Sequence, residues 1–347
     1  MSRFCISIQY FCLSLSVCFC CVTPAFADRV VVQEGKNRTI TGTVVMVSPD
    51  NVAVDVRGER QEIPASIVVS TTYDNEPSAL GTIRGAVVNG RLQEALDAAT
   101  KLDPKDLKTN EMKQDYDYFV AAAKTQLLLT GRDGSIEDAG KSLLDYLRNH
   151  KSSYHYYSIC ELYGDLMVQQ GRFEDAKKSY GVLSQSSLPE YSLKATVLSG
   201  MAHLAEKKTD DARKNFESVL ASTGNSERTR KQKNIARVGL ALCLVAEKKY
   251  DSAIMQLDEM TGSLTGEENA FQALLYNSLG FAYSEAGKPQ EAILAYLHTD
   301  LLFSSARNEH IQALQELSKL WRKTERRDRA EYAQERLKML YHIGTGE

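Results

Sequence analysis

A small residue followed twelve positions later by an alanine recurs five times in this chain, and no other feature constrains the fold as strongly. The five pairs are Gly164 with Ala176, Gly200 with Ala212, Ala241 with Ala253, Gly280 with Ala292, and Ser318 with Ala330. Two helices can approach closely only where the facing side chains are small. The spacing therefore predicts antiparallel helix pairs, with one small residue of each couple on each helix.

A bulky side chain follows four residues after the alanine in four of the five units. These side chains are Tyr180, Phe216, Leu257 and Tyr296, whereas the fifth unit has Gln334. Positions four apart share one face of a helix, so each bulky residue is predicted to fill the next gap between the paired helices. Ala95 and Ala139 extend the series toward the N-terminus, so that seven units cover residues 78–343.

The best-matched unit consists of Leu279, Gly280, Tyr283, Ala292 and Tyr296. It resembles the tetratricopeptide repeat, which places Leu-Gly and Tyr on a first helix and Ala and an aromatic residue on a second. The seven alanines lie 36 to 44 residues apart, which is more than the usual 34. The resemblance implies a mainly α fold, a right-handed α-solenoid of about seven helical hairpins with longer helices or loops than usual.

In that family the first helix of each hairpin lines a concave groove that binds peptides or helices. By resemblance, the groove residues here flank the small packing residue of each first helix. They are Glu161, Asp165, Val197, Met201, Val238, Leu242, Asn277, Phe281, Gln315 and Lys319. The alternative is that the apolar members pack into the solenoid. The family's clamp for a C-terminal carboxylate needs several lysines, asparagines and arginines on successive first helices. That combination is not found here, so this ligand is not predicted.

Residues 28–74 have a different texture, that of β-strands. Val30–Val32, Thr39–Val47, Val52–Val56 and Ile67–Val69 are rich in β-branched residues, with turns at Ser48–Asn51 and Arg57–Arg60. Such short alternating runs predict a meander of four or five strands. The pattern resembles small SH3-like or Sm-like barrels, and it is expected either to cap the solenoid or to dock a partner on an open strand edge.

Residues 1–27 have the organisation of an export signal. Arg3 is the only charge, an apolar stretch follows, and Ala25 and Ala27 precede Asp28. A positive start, an apolar middle and a small-x-small end are typical of a cleaved signal peptide, so cleavage is predicted between Ala27 and Asp28. The apolar stretch is also about long enough to span a bilayer, and an uncleaved membrane anchor is the alternative.

The sequence offers little chemistry. It contains no phosphate-binding glycine loop, zinc-protease motif or nucleophile elbow, and its six histidines show no ligand spacing. A net charge of -3 excludes nucleic-acid binding that relies on charge alone. Cys160 and Cys243 are predicted to be buried free thiols. No catalytic residue, metal or cofactor is therefore expected.

Together these patterns predict a non-enzymatic scaffold or adaptor with protein partners, exported to the periplasm or to the outside of a bacterial cell. It would bind a peptide or helix in the concave groove. Two alternatives stay open. One is a membrane-tethered scaffold in envelope assembly, secretion or polysaccharide export, and the other is an accessory subunit of an enzyme.

Overall fold

The computed structural model describes residues 27–132, 134–263 and 268–343. The predicted signal peptide, including Ala25, lies outside these residues except for Ala27 at its end. The strands are β1 (Asp28–Glu34), β2 (Lys36–Val47), β3 (Asn51–Val56), β4 (Glu59–Pro64) and β5 (Val68–Thr72). The helix pairs are α1 (Ser78–Val88) with α2 (Leu92–Ala99), α3 (Asn110–Leu129) with α4 (Ile136–Asn149), α5 (Tyr156–Gln169) with α6 (Phe173–Gly181), α7 (Pro189–Ala205) with α8 (Thr209–Ala221), α9 (Glu227–Ala246) with α10 (Tyr250–Ser263), α11 (Asn269–Glu285) with α12 (Pro289–Leu302), and α13 (Arg307–Lys323) with α14 (Arg327–Tyr341).

The five strands form one antiparallel sheet in the order β4-β3-β2-β1-β5. The sheet is not closed: β5 pairs with β1, and β4 is left at the far edge. This five-stranded antiparallel sheet fits the barrel-like module expected from the sequence only loosely. The turn predicted over Arg57–Arg60 is also too long, because β4 already begins at Glu59. At Gly42 of β2 there is no space for a side chain, because an added Cβ would overlap the carbonyl oxygen of Asp55 on β3 and lie 2.8 Å from Val54 Cγ1.

The helices form the predicted solenoid of seven consecutive hairpins. Every hairpin turns at a residue with positive φ, which ends the first helix in the left-handed conformation. These residues are Gly90, Gly131, Gly171, Lys207, Lys248, Gly287 and Glu325. The residue after each of them donates its N–H to the carbonyl five positions earlier, as in Arg172 N to Met167 O at 2.8 Å. Each first helix therefore ends in a Schellman cap, which satisfies its last carbonyls.

The small residues of the repeat lie directly against the aromatic residue of the paired helix. A Cβ added to Gly200 would lie 2.7 Å from Phe216, and one added to Gly280 would lie 2.8 Å from Tyr296. Gly164 meets the ring of Tyr180 in the same way. The alanines of the second helices, Ala176, Ala212, Ala253, Ala292 and Ala330, are buried, as is Ala241.

Within the described residues, no helix is both long enough and apolar enough to cross a membrane. Cys160 on α5 and Cys243 on α9 are free and buried, as the sequence predicted. Burial raises the pKa of the Cys160 thiol to about 12.

Candidate functional site

The sheet and the helices are joined by a buried polar cluster centred on Asp115 of α3. Asp115 is fully buried, and its Oδ1 accepts hydrogen bonds at 3.2 Å from the hydroxyls of Tyr73 and Tyr154. The Nε2 of His155 lies at the same distance from this oxygen. Tyr73 follows β5, whereas Tyr154 and His155 lie between α4 and α5. One carboxylate therefore holds three separate segments together.

Arg84 of α1 completes the cluster. Its guanidinium forms a two-pronged ion pair with Glu76, with distances of 2.8 and 2.7 Å, and lies 3.8 Å from Asp115 Oδ2. Arg84 and Asp115 are both buried. A buried charge is stable only when it is paired and hydrogen-bonded, so these residues depend on one another.

His155 is enclosed by aromatic rings. Tyr118 stacks on it with ring centroids 3.6 Å apart, and Tyr154 lies against it at 3.9 Å. Burial lowers the pKa of His155, and the positive charge of Arg84 lowers it further, against the opposing effect of Asp115. The ring is therefore held neutral at a pH where an exposed histidine begins to gain a proton.

The sheet reaches further along the solenoid through its turns. Asp50, between β2 and β3, accepts hydrogen bonds from the hydroxyls of Ser186 and Ser187, the latter at 2.8 Å. Ser66, in the one-turn 3-10 helix before β5, donates to Glu190 of α7 at 2.8 Å. Tyr154 lies in the hydrophobic core of the sheet itself. The β module thus lies across the first four hairpins and does not merely cover the outer face of the first one.

The two ends of the solenoid also meet. Arg307, the first residue of α13, donates through NH1 to the carbonyl of Gly90 and through NH2 to that of Asn89, both at 2.8 Å. Asn89 and Gly90 form the turn between α1 and α2. Gly90 has φ of +65°, and an added Cβ would overlap the Arg307 side chain. These two hydrogen bonds join the first and last hairpins, a contact that we call the ring closure.

A cavity of about 760 Å³ lies where the ring closure meets the sheet. We call it the central cavity. Its walls come from regions that are far apart in the sequence. They are the 3-10 helix before β5, the start of β5, the α1–α2 turn, one face of α3, the start of α5 and the start of α13. The lining residues include Val68, Val69, Val88, Tyr118, Ser158, Ser305, Arg307, Glu309 and Tyr341. The lining combines apolar, aromatic, hydroxyl and charged groups.

The positive charge in this wall is weakly balanced. Arg307 lies over the ring of Tyr341, with its Cζ 5.1 Å from the ring centroid, and its hydrogen-bond acceptors named above are neutral carbonyls. Arg132, which follows α3, has a pKa lowered by burial and by the charge of Arg307. Burial raises the pKa of Glu309, the acid in the cavity wall, while the charge of Lys231 lowers it.

The ten groove residues predicted from the sequence do not line the central cavity. Val197, Val238 and Asn277 are buried, and Asn277 donates to the carbonyl of Glu309 at 2.8 Å, which links neighbouring hairpins. In the middle of the solenoid, the side chain three residues before the small packing residue of a first helix therefore faces the next hairpin. Because they are buried, these three side chains present no surface to a ligand.

The remaining groove candidates differ in accessibility. Glu161 pairs with Lys194 at 2.5 Å. Asp165 accepts from the Tyr180 hydroxyl at 2.7 Å, and burial raises its pKa to about 6. Phe281 is 42% exposed, and Lys319 is also exposed, beside Glu316. Met201, Leu242 and Gln315 are half-buried.

The other predicted features were also located. Asp28, the predicted first residue after cleavage, begins β1, and its carboxylate accepts from the backbone N–H of Val44 at 2.7 Å and of Asp74 at 2.8 Å. No group of three or more potential metal ligands occurs among residues 27–132, 134–263 and 268–343. Sequence reasoning missed Asp115, His155 and Arg307 as a functional region, because each is an unremarkable polar residue until distant segments meet.

Residues 182–320 match the family model described as a tetratricopeptide repeat-like domain. This range includes the three hairpins from α7 to α12 and most of α13. No curated protein matches the chain. The helical part is therefore a tetratricopeptide-repeat-like solenoid.

Similar solved structures share little sequence identity with this chain. A tetratricopeptide repeat protein from Parabacteroides merdae is 16% identical with a TM-score of 0.48, over 78% of this chain and 93% of that one. A Rap protein complexed with competence and sporulation factor is 14% identical with a TM-score of 0.47, over 75% and 74%. PilF of Pseudomonas aeruginosa is 18% identical with a TM-score of 0.41, over 67% and 94%.

Proposed function

We propose that this protein is an exported, non-enzymatic scaffold that binds a segment of a partner protein in the central cavity. The observation that supports this most directly is the ring closure by Arg307, because it brings α1, α13 and the sheet around one space. Repeat solenoids of this kind use their inner surfaces for binding. The cavity also has the size and mixed lining of a ligand site.

The buried cluster at Asp115 supports a rigid site. It fixes the sheet, α1, α3 and the start of α5 relative to one another, and residues of the same segments line the cavity. A binding site held in its final shape loses less conformational entropy when the ligand arrives. Export is supported by the composition of residues 1–27, and the same residues would serve as an anchor if they were not removed.

A photo-crosslinking amino acid at Val88 tests the binding site. Val88 lines the cavity and is 56% exposed, whereas Met255 on α10 is 65% exposed and lies outside the cavity. We expect the Val88 probe, placed in the full chain in its producing cells, to yield a recurring protein adduct. The Met255 probe serves as the control for accidental encounters, and equal adducts at both positions, or none at Val88, would contradict the proposal.

The same preparation reports on export. Mass spectrometry of a C-terminally tagged chain identifies its first residue. Asp28 at the N-terminus is the result expected for an exported, cleaved protein, and an intact Met1 would favour the tethered alternative.

A further inference from the structure

β5 is an edge strand with an unusual composition for an edge. It pairs with β1 on one side, and among the described strands none pairs with its other side. The other edge strand, β4, carries Glu59, Arg60 and Glu62 as exposed residues, and charges on an edge discourage further pairing. β5 has the sequence Val-Val-Ser-Thr-Thr and no charge, so this protection is missing where the sheet borders the cavity.

The start of β5 forms part of the cavity wall. Val68 and Val69 line the cavity and are half-buried. The register with β1 shifts at this point, since Val31 is paired with Ser70 and Val32 with Val68. Val69 is thus the extra residue of a bulge, a feature that bends an edge and re-aims its side chains.

The charge in the opposite wall favours an acidic ligand. Arg307 makes hydrogen bonds to two carbonyl oxygens, and no carboxylate of the described residues forms an ion pair with it. Arg132 lies close enough to feel its charge, and the Nε atom of Arg132 is buried without a hydrogen-bond partner in the described part of the chain. A carboxylate placed beside Arg307, the arginine that lines the cavity, would gain charge-assisted hydrogen bonds.

We infer that the central cavity takes an extended peptide that adds a strand to β5 and places a carboxylate beside Arg307. This inference rests on the proposed function and adds to it the conformation and the charge of the bound segment. Main-chain hydrogen bonds to the strand edge provide affinity in this mode of recognition, and the pockets for alternate side chains provide selectivity. Of the β5 residues, Val68 and Val69 line the cavity, so the added strand begins beside them.

Site-specific crosslinking identifies the segment. A photo-crosslinking residue is placed at Val69 of the full chain in its producing cells, and at Gln61 on β4 as the matched edge-strand control. The trapped segment is sequenced by mass spectrometry, and a synthetic peptide of that sequence serves as the probe for binding. We expect adducts at Val69 and none at Gln61.

Hydrogen–deuterium exchange then tests strand addition. We expect the peptide to slow exchange of the backbone amides in Val68–Thr72 by at least about tenfold. A peptide with alternate amides N-methylated should lose this protection. Converting the carboxylates of the peptide to amides should weaken binding about tenfold, as expected for losing a hydrogen bond to a charged group.

The outcomes separate this inference from the proposed function. A peptide that binds and is trapped at Val69 while exchange in Val68–Thr72 stays unchanged would overturn strand addition but leave the binding cavity intact. Equal binding of the acid and amide peptides would overturn the role of Arg307. The absence of any adduct at Val69, with adducts retained at Val88, would overturn the placement on β5.

Discussion

Asp115 Oδ1 and His155 Nε2 lie 3.2 Å apart in a region closed to solvent, and this contact joins the third helix of the solenoid to the loop before the fifth. The same oxygen accepts from Tyr73 and Tyr154. This buried cluster is therefore one of the contacts that set the position of the sheet relative to the helices.

The contribution of His155 to the free energy of unfolding should fall as the solution becomes mildly acidic, whereas Asp165, whose pKa burial raises to about 6, acts in the opposite direction below that pH. The pKa of His155 is held below its ordinary value of 6.5 by burial, and it returns to about 6.5 in the unfolded chain. Between these two values the unfolded chain binds more protons, so stability falls as the pH drops below about 6.5. The loss is about 1.4 kcal/mol for each pH unit between the two pKa values. Urea titrations at about pH 7.5 and 5.5 measure it, and H155Q should show a smaller pH dependence than the parent.

Removing the carboxylate of Asp115 should destabilise the junction strongly. Asp115→Ala leaves Arg84 without one of its counter-charges and two buried tyrosine hydroxyls without their acceptor. Breaking one partner of a buried charged network costs about 3–5 kcal/mol. Asp117→Ala on the same helix is the control, since Asp117 is half-exposed and pairs only with His150, which is worth about 1 kcal/mol at most. Denaturant titrations that gave similar losses for both variants would contradict this assignment.

The glycine–aromatic contact can be tested with a matched pair of substitutions. Gly164→Ala should destabilise the protein, because its Cβ would overlap the Tyr180 ring, and overpacking of a well-filled core costs about 1–3 kcal/mol. Gly181→Ala should be neutral or stabilising by up to about 1 kcal/mol, since it has helical φ and ψ and open space around it. Thermal unfolding of the two variants measures this.

The ring closure should depend on Arg307. Arg307→Gln removes charge-assisted hydrogen bonds to Asn89 and Gly90, each worth about 1.5–3 kcal/mol at most. We expect faster hydrogen exchange at the α1–α2 turn and a larger radius of gyration by small-angle scattering. Arg322→Gln, an exposed arginine at the other end of α13, is the control. An unchanged turn in R307Q would show that other contacts hold the ends together.

The hairpins could be predicted because their signals are local. A glycine and an alanine twelve residues apart, as in Gly280 and Ala292, report on two adjacent helices of one unit. The turns were harder, since four of the seven left-handed positions are glycines but Lys207, Lys248 and Glu325 are not. Lysine and glutamate do not carry the signal for this conformation that glycine does, so composition alone does not reveal these three caps.

The cavity could not be predicted because its walls meet only in the folded chain. Arg307 and Gly90 are 217 positions apart, and nothing in either neighbourhood indicates the other. That the sheet is open could not be predicted for a related reason. Alternating valines predict strands, but they do not indicate whether the two edge strands of the sheet pair with each other. The predicted groove positions relied on a family pattern whose members here, such as Val238, pack between hairpins.

The contact between Arg307 and the α1–α2 turn also changes how the chain is expected to melt. The stability of an open array of repeats is approximately the sum of the stabilities of its repeats and of the contacts between neighbours. Its terminal units therefore fray first and can be deleted at a modest cost in stability. Joining the ends adds a favourable interaction that both terminal hairpins share. The entropic cost of closing so long a loop rises only slowly with its length. Loss of α13 and α14 would then loosen α1 and α2 as well, and the array should unfold cooperatively instead of unit by unit from its termini.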